Sequence, residues 1–108
     1  MINIKPLKAY TDNYIWLLET NEEVSVVDPG DAKPVLDYLS KTNKNLRDIF
    51  ITHHHFDHTA GVPELENIIS GSIYGPKNSY ELINEKVTQG DTLSSLGIKF
   101  EIIEVPGH

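Results

Sequence analysis

The chain has 108 residues, 39% apolar and 23% charged, without repeats or low-complexity tracts, which excludes a disordered segment and leaves an ordinary globular domain with a modest core. With 16 acidic against 9 basic residues the net charge is −7, which opposes phosphate backbones and anionic membrane surfaces, so nucleic acid is not an expected partner. The absence of cysteine excludes a disulfide framework, a Cys-rich zinc knot and a Cys nucleophile, and leaves His and carboxylates as the strong metal ligands.

The N-terminal MINIKPLKAYTDNY holds no long apolar run, so neither a secretory signal nor a membrane span is read there and a cytoplasmic location is expected. Ile2 to Lys8, Tyr14 to Glu19 and Glu23 to Val27 are β-branched and aromatic runs separated by the polar turns Thr11-Asp12-Asn13 and Thr20-Asn21-Glu22, which predicts three strands joined as hairpins. Asp31 is placed to cap a helix over Ala32 to Lys41, with Pro34 in the first turn and Val35, Leu36 and Leu39 facing inward. Asp48 to Thr52 reads as a short strand buried on both faces. Val62, Leu65 and Ile68 or Ile69 recur at helical spacing, predicting a second helix from Gly61 to Ile69 that Ser70-Gly71 ends. Ser72 to Tyr74, Glu85 to Thr88 and Ile98 to Glu104 are further strands, with turns at Gly75-Pro76, Gln89-Gly90-Asp91 and Gly97 and a short helix around Asn78 to Asn84. No linker divides the chain. The order implies a mixed sheet covered by helices, an α/β (α+β) arrangement in which one sheet face lacks a partner.

Four of the five histidines fall in Thr52-His53-His54-His55-Phe56-Asp57-His58, and the fifth is His108. In an extended segment residues i and i+2 point the same way, so His53 and His55 can offer two imidazoles to one ion. Asp57 and His58, from the turn that follows, can reach a second position about 3.5–4 Å away, the spacing used by two-metal hydrolases. A purification tag would sit at a terminus and lack the interleaved Phe and Asp. His54 and Phe56 alternate away from the ligand face, toward packing or a hydrogen bond behind the site. A lone terminal histidine is ordinarily just solvated, but Val105-Pro106-Gly107 can aim His108 at a site on the same sheet edge. Imidazole and carboxylate ligands suit zinc, iron and manganese alike.

His53-x-His55-x-Asp57-His58 resembles the signature of the metallo-β-lactamase superfamily. Thr11-Asp12-Asn13-Tyr14-Ile15-Trp16, Val27-Asp28-Pro29-Gly30-Asp31-Ala32 with Pro34-Val35-Leu36, Thr52 through His58 with Ala60-Gly61-Val62, Tyr74-Gly75-Pro76 and Pro106-Gly107-His108 resemble glyoxalase II in the same order, along essentially the whole chain. The resemblance implies an αββα sandwich of which residues 1–108 supply roughly the N-terminal half. It implies that His53, His55 and His108 bind a first zinc, that Asp57 and His58 bind a second, and that Asp28 supports the site from behind; Asp28-Pro29-Gly30 is equally compatible with a simple turn before a helix. Asp57 would also orient the attacking water. The implied chemistry is hydrolysis of the glutathione thioester S-D-lactoylglutathione to D-lactate and glutathione, in methylglyoxal detoxification. Family members continue beyond Pro-Gly-His into a bridging Asp, a further His ligand and a helical glutathione-binding region. The second site is therefore expected to be incomplete here, the second β-layer missing, and the exposed sheet face open to self-association. A related hydrolase of another ester, lactam or phosphodiester, and a non-catalytic metal-binding fragment, are the alternative readings.

Overall fold

The structure, a computed structural model, describes residues 3–9, 13–52, 56–76 and 80–102. The three N-terminal strands form as the β-branched and aromatic runs predict: β1 (Asn3–Ala9), β2 (Asn13–Glu19) and β3 (Glu23–Val27) pair antiparallel in sequence order. Ile2 and the turn residues Thr11 and Asp12 lie outside the described residues. Along β2, Ile15, Leu17 and Glu19 are buried, whereas Tyr14 and Trp16 on the other face are exposed.

Helix α1 (Ala32–Thr42) begins at the expected cap, where the Asp31 carboxylate accepts from the Lys33 N–H at 3.1 Å, and ends at Asn43 in the left-handed conformation. Its inward stripe is Ala32, Val35, Tyr38 and Leu39. Leu36, expected inward, is exposed, because one residue past Val35 the helix has turned about 100° away from the sheet.

β4 (Asn45–Phe50) starts before the expected Asp48 and stops before Ile51 and Thr52. It runs parallel to β3, with Val24 opposite Leu46 and Val26 opposite Ile49, so Ser25 faces both Arg47 and Asp48 in a bulge. The extra residue keeps Leu46 and Ile49 on the helix side and turns Asp48 to the opposite face. After it come α2 (Phe56–Thr59), α3 (Val62–Leu65) and a 3₁₀ turn over Glu66–Ile68. The expected helix over Gly61 to Ile69 is thus shorter and tightens at its end, and Asp57 and His58 stand on a helical turn of their own.

β5 (Ile73–Pro76) and β6 (Glu85–Val87) extend the parallel part, giving a six-stranded sheet in the order β1-β2-β3-β4-β5-β6. Gly75-Pro76, expected as a turn, belongs to β5; the Ile83 side chain occupies the space a Cβ on Gly75 would take. The expected helix around Asn78 to Asn84 is absent over Tyr80–Asn84, 78 and 79 lying outside the described residues. Asn84 instead pairs like a strand residue, its N–H donating to Ile73 O (3.0 Å) and its Oδ1 accepting from Ile73 N–H (2.9 Å).

A second sheet, β7 (Thr92–Ser95) with β8 (Ile98–Glu101), corrects the expectation of a wholly missing second layer. Its two-residue turn places Leu96 (φ 57°) and Gly97 (φ 77°) both in the left-handed region, as a tight hairpin demands. β8 is shorter than expected, Ile102 following it outside any strand and 103–104 lying outside the described residues. The hairpin sits on the face of β3 and β4 opposite α1, held by buried polar groups: Ser25 Oγ and Ser95 Oγ are 2.9 Å apart, Ser95 Oγ donates to Asp48 Oδ2 at 2.6 Å, and Ser72 N–H donates to Asp48 Oδ1 at 2.8 Å. Phe50 packs beside it against Tyr74 and Phe100. The β1–β2 part of the same face stays open, with Ile4, Tyr14 and Trp16 at 64%, 51% and 46% exposure. On the helix side the core is Ile15, Leu17, Val24, Val26, Val35, Leu46, Ile49, Val62, Leu65 and Ile73.

At the end of the sheet away from His58, the buried Glu19 carboxylate accepts from Lys5 Nζ (2.8 Å), Lys44 Nζ (2.9 Å) and the Tyr38 hydroxyl. Burial pushes this carboxyl up, but the hydrogen bonds from Lys5, Tyr38 and Lys44 outweigh it and hold it at about 2, against an ordinary 4.5. The folded-state value is depressed, so the ionised group stabilises the fold above about pH 4.5 and that contribution is lost as pH falls toward 2. With the exposed Lys5 discounted for screening it amounts to about 2–3 kcal/mol. Glu19→Gln is expected to lower stability by that amount at pH 7 and to flatten the acid limb between pH 4.5 and 2 in urea titrations; an unchanged acid limb would show that the group carries no such linkage.

Candidate metal centre

β3 and β4 are parallel neighbours, so their C-terminal ends open on the same edge of the sheet, where α/β folds place their sites. Asp28 follows β3 directly. Its N–H donates to Phe50 O at 2.8 Å, continuing the ladder, and its backbone then turns left-handed at φ 52°, a conformation that Asp tolerates better than most residues. The turn aims the carboxylate across the end of β4. Oδ1 accepts from the Thr52 N–H at 2.7 Å, Oδ2 accepts from the Thr52 hydroxyl, and His58 Nδ1 lies 3.1 Å from Oδ2. Asp28 is 8% exposed. A buried carboxylate satisfied by these donors offsets the backbone strain, of the order of 1–3 kcal/mol, that a left-handed residue costs.

One carboxylate therefore holds Thr52, immediately before the histidine triplet, and His58, shortly after it. With Nδ1 directed at Asp28, a neutral His58 imidazole carries its proton on Nδ1 and its lone pair on Nε2. That is the carboxylate–histidine arrangement that orients metal ligands. The donor chemistry of this described part of the site thus fits a metal such as zinc.

Of the residues expected from sequence, Asp28 and His58 are brought together. His53, His54, His55 and His108 lie outside the described residues, as do the side chains of Phe56 and Asp57, whose backbone lies in α2. Among the described residues there is accordingly no group of three or more His, Cys, Asp or Glu side chains able to hold an ion. The sequence reading missed the role of Thr52. The available signal was a hydroxyl directly preceding the triplet, since Ser and Thr in such places commonly tie down a loop.

Residues 11–106 match the metallo-beta-lactamase superfamily. The chain belongs to that superfamily. Among curated relatives, proteins named hydroxyacylglutathione hydrolase from Pseudoalteromonas translucida, Chromohalobacter salexigens and Idiomarina loihiensis are 48%, 43% and 39% identical to it, covering 100%, 100% and 99% of this chain. The chain spans 44% of the length of each. Among solved structures, the B3 metallo-beta-lactamase BLEG-1 superposes with a TM-score of 0.82 at 18% identity, over 97% of this chain and 62% of that one. ETHE1 from Myxococcus xanthus gives 0.71 at 22% identity, over 94% and 46%. At these identities the likeness is one of fold, and it agrees with the mixed sheet, covering helices and second β-layer described above.

Proposed function

We propose that this chain forms the metal-binding part of a hydroxyacylglutathione hydrolase, cleaving S-D-lactoylglutathione with water to D-lactate and glutathione in the detoxification of methylglyoxal. The observation that carries the reading is the joint anchoring of Thr52 and His58 on Asp28, which brackets the histidine triplet, in a chain up to 48% identical to proteins of that name. In this reading His53, His55 and His108 hold one zinc and Asp57 and His58 a second, iron and manganese being alternatives with the same ligand types. Bound metal would supply a water with a pKa of about 7 and polarise the thioester carbonyl. Asp57 would orient the attacking water, and Asp28 keeps His58 in the tautomer that offers Nε2.

No helix among the described residues is long and apolar enough to cross a membrane; a cytoplasmic location, a small-molecule substrate and no nucleic-acid partner complete the proposal. The open β1–β2 face around Ile4, Tyr14 and Trp16 is where copies of the 108-residue chain would associate.

A protein of the relatives' full length that carries these 108 residues tests the proposal. Loaded with zinc, it should hydrolyse S-D-lactoylglutathione with a kcat/KM at least about 100-fold above that for a β-lactam. The reverse preference would assign the site to another branch of the superfamily.

A further inference from the structure

Gly61 stands at φ −83°, ψ −11°, an ordinary right-handed conformation open to any residue, so its backbone angles do not call for glycine. Space does. A Cβ there would lie 2.5 Å from Pro29 O, 2.6 Å from Ala32 N and 2.8 Å from Asp31 C, all backbone atoms of the turn between β3 and α1. The Gly61 N–H donates to Pro29 O at 2.9 Å. The same two stretches also meet one residue earlier in that turn and three residues earlier in the helical segment, where Asp28 holds His58. They are thus joined by a side-chain contact at one point and a backbone contact at the other.

We propose that Gly61 is a positioning residue of the metal centre: its missing side chain lets the backbone after His58 seat directly on the Pro29–Ala32 turn, and that seating sets the distance between the Asp28 carboxylate and the His58 ring. The proposal rests on His58 being a metal ligand only for its functional consequence. A methyl at Gly61 must open the contact by about 1 Å to reach ordinary van der Waals separation, and a shift of that size breaks a hydrogen bond that is already 3.1 Å long.

Gly71 provides the control. A Cβ there would strike the buried Asp48 carboxylate and Arg47 O, so Gly71→Ala strains the fold through the interlayer network without touching Asp28, His58 or the turn. Gly61→Ala, Gly71→Ala and the unaltered chain are compared by thermal melting, by the ¹⁵N imidazole spectrum of the metal-free protein and by calorimetric titration with zinc, the last two at a temperature where all are folded. Both substitutions should lower the melting temperature. Only Gly61→Ala should abolish the Nδ1-protonated signature of His58 and weaken binding of the second zinc, the one assigned to Asp57 and His58, roughly 10- to 100-fold. A native His58 signature in folded Gly61→Ala, or an equal change in Gly71→Ala, would overturn the proposal. If the unaltered chain binds no zinc, the metal reading fails, while the metal-free spectrum still decides the role of Gly61. If Gly61→Ala does not fold, Asp28→Asn decides it, since Asn fits the same left-handed backbone and leaves the space at Gly61 unchanged. Faster exchange of the Gly61 amide in that variant supports the coupling, and exchange at the native rate contradicts it.

Discussion

The 108 residues alone, supplied with zinc, are expected to hydrolyse S-D-lactoylglutathione at least about a thousandfold more slowly than a protein of the relatives' full length, because substrate positioning alone can be worth several orders of magnitude. The reasons lie in the fold. The chain spans 44% of its relatives' length, and the described residues complete only part of the second layer: β7 and β8 cover β3 and β4, while Ile4, Tyr14 and Trp16 remain open. A hydrolytic metal needs ligands held in fixed geometry around an open position for water. The resemblance implies that the rest of the sandwich, the bridging ligand and the glutathione-binding region are supplied by further residues of the full-length relatives. Release of glutathione thiol, followed with a thiol reagent, checks the expectation. Rates within about tenfold of the longer protein would show that these residues position the thioester unaided.

Replacing His55 by Ala is expected to weaken zinc binding by about a hundredfold or more, and replacing His54 by no more than about tenfold. Thr52 and His58, on either side of the triplet in sequence, are both attached to the Asp28 carboxylate. In the proposed reading, alternation within the triplet would send His53 and His55 to one side and His54 to the other. In that reading His55→Ala would remove one of the few imidazoles available to the first ion, whereas His54→Ala would remove a group behind it. Calorimetric titration of both variants reads the difference, and equal losses would overturn the assignment by alternation.

What the sequence made legible follows from how local each determinant is. The three N-terminal strands and α1 are specified by β-branched and aromatic runs, polar turns and the Asp31 cap, all within a few residues of the structure they produce. β7 was missed because Thr92, Ser94 and Ser95 look like a loop; Ser95 is buried by its bonds to Ser25 and Asp48, 70 and 47 residues away. Asp48 reads as a polar strand start for the same reason, although it anchors the second layer. Glu19 ends an apolar run and looks like the start of a turn, yet it is buried because Lys5, Tyr38 and Lys44 converge on it from other elements.

The site divides in the same way. The proposed metal-binding pattern is local, carried by residue type and spacing between His53 and His58. Asp28 was legible as a turn residue and, through the resemblance, as a support. Its hold on both Thr52 and His58 depends on contacts across 24 and 30 residues, which only the parallel pairing of β3 with β4 brings about. Gly61 is legible as the start of a helix and as part of the resemblance, but not as a contact, since what it requires is the closeness of Pro29 and Ala32.

The central claim is that the segment from His53 to His58 binds metal, with His58 oriented by Asp28. Zinc titrated into the chain with ¹⁵N-labelled histidine, followed on the imidazole nitrogens one residue at a time, tests it most directly. The account predicts that the resonances of His53, His55 and His58 move on zinc addition, that His58 stays protonated on Nδ1 and shifts at Nε2, and that His54 is little affected. Zinc that left His53, His55 and His58 unshifted, or that shifted His58 at Nδ1, would contradict it.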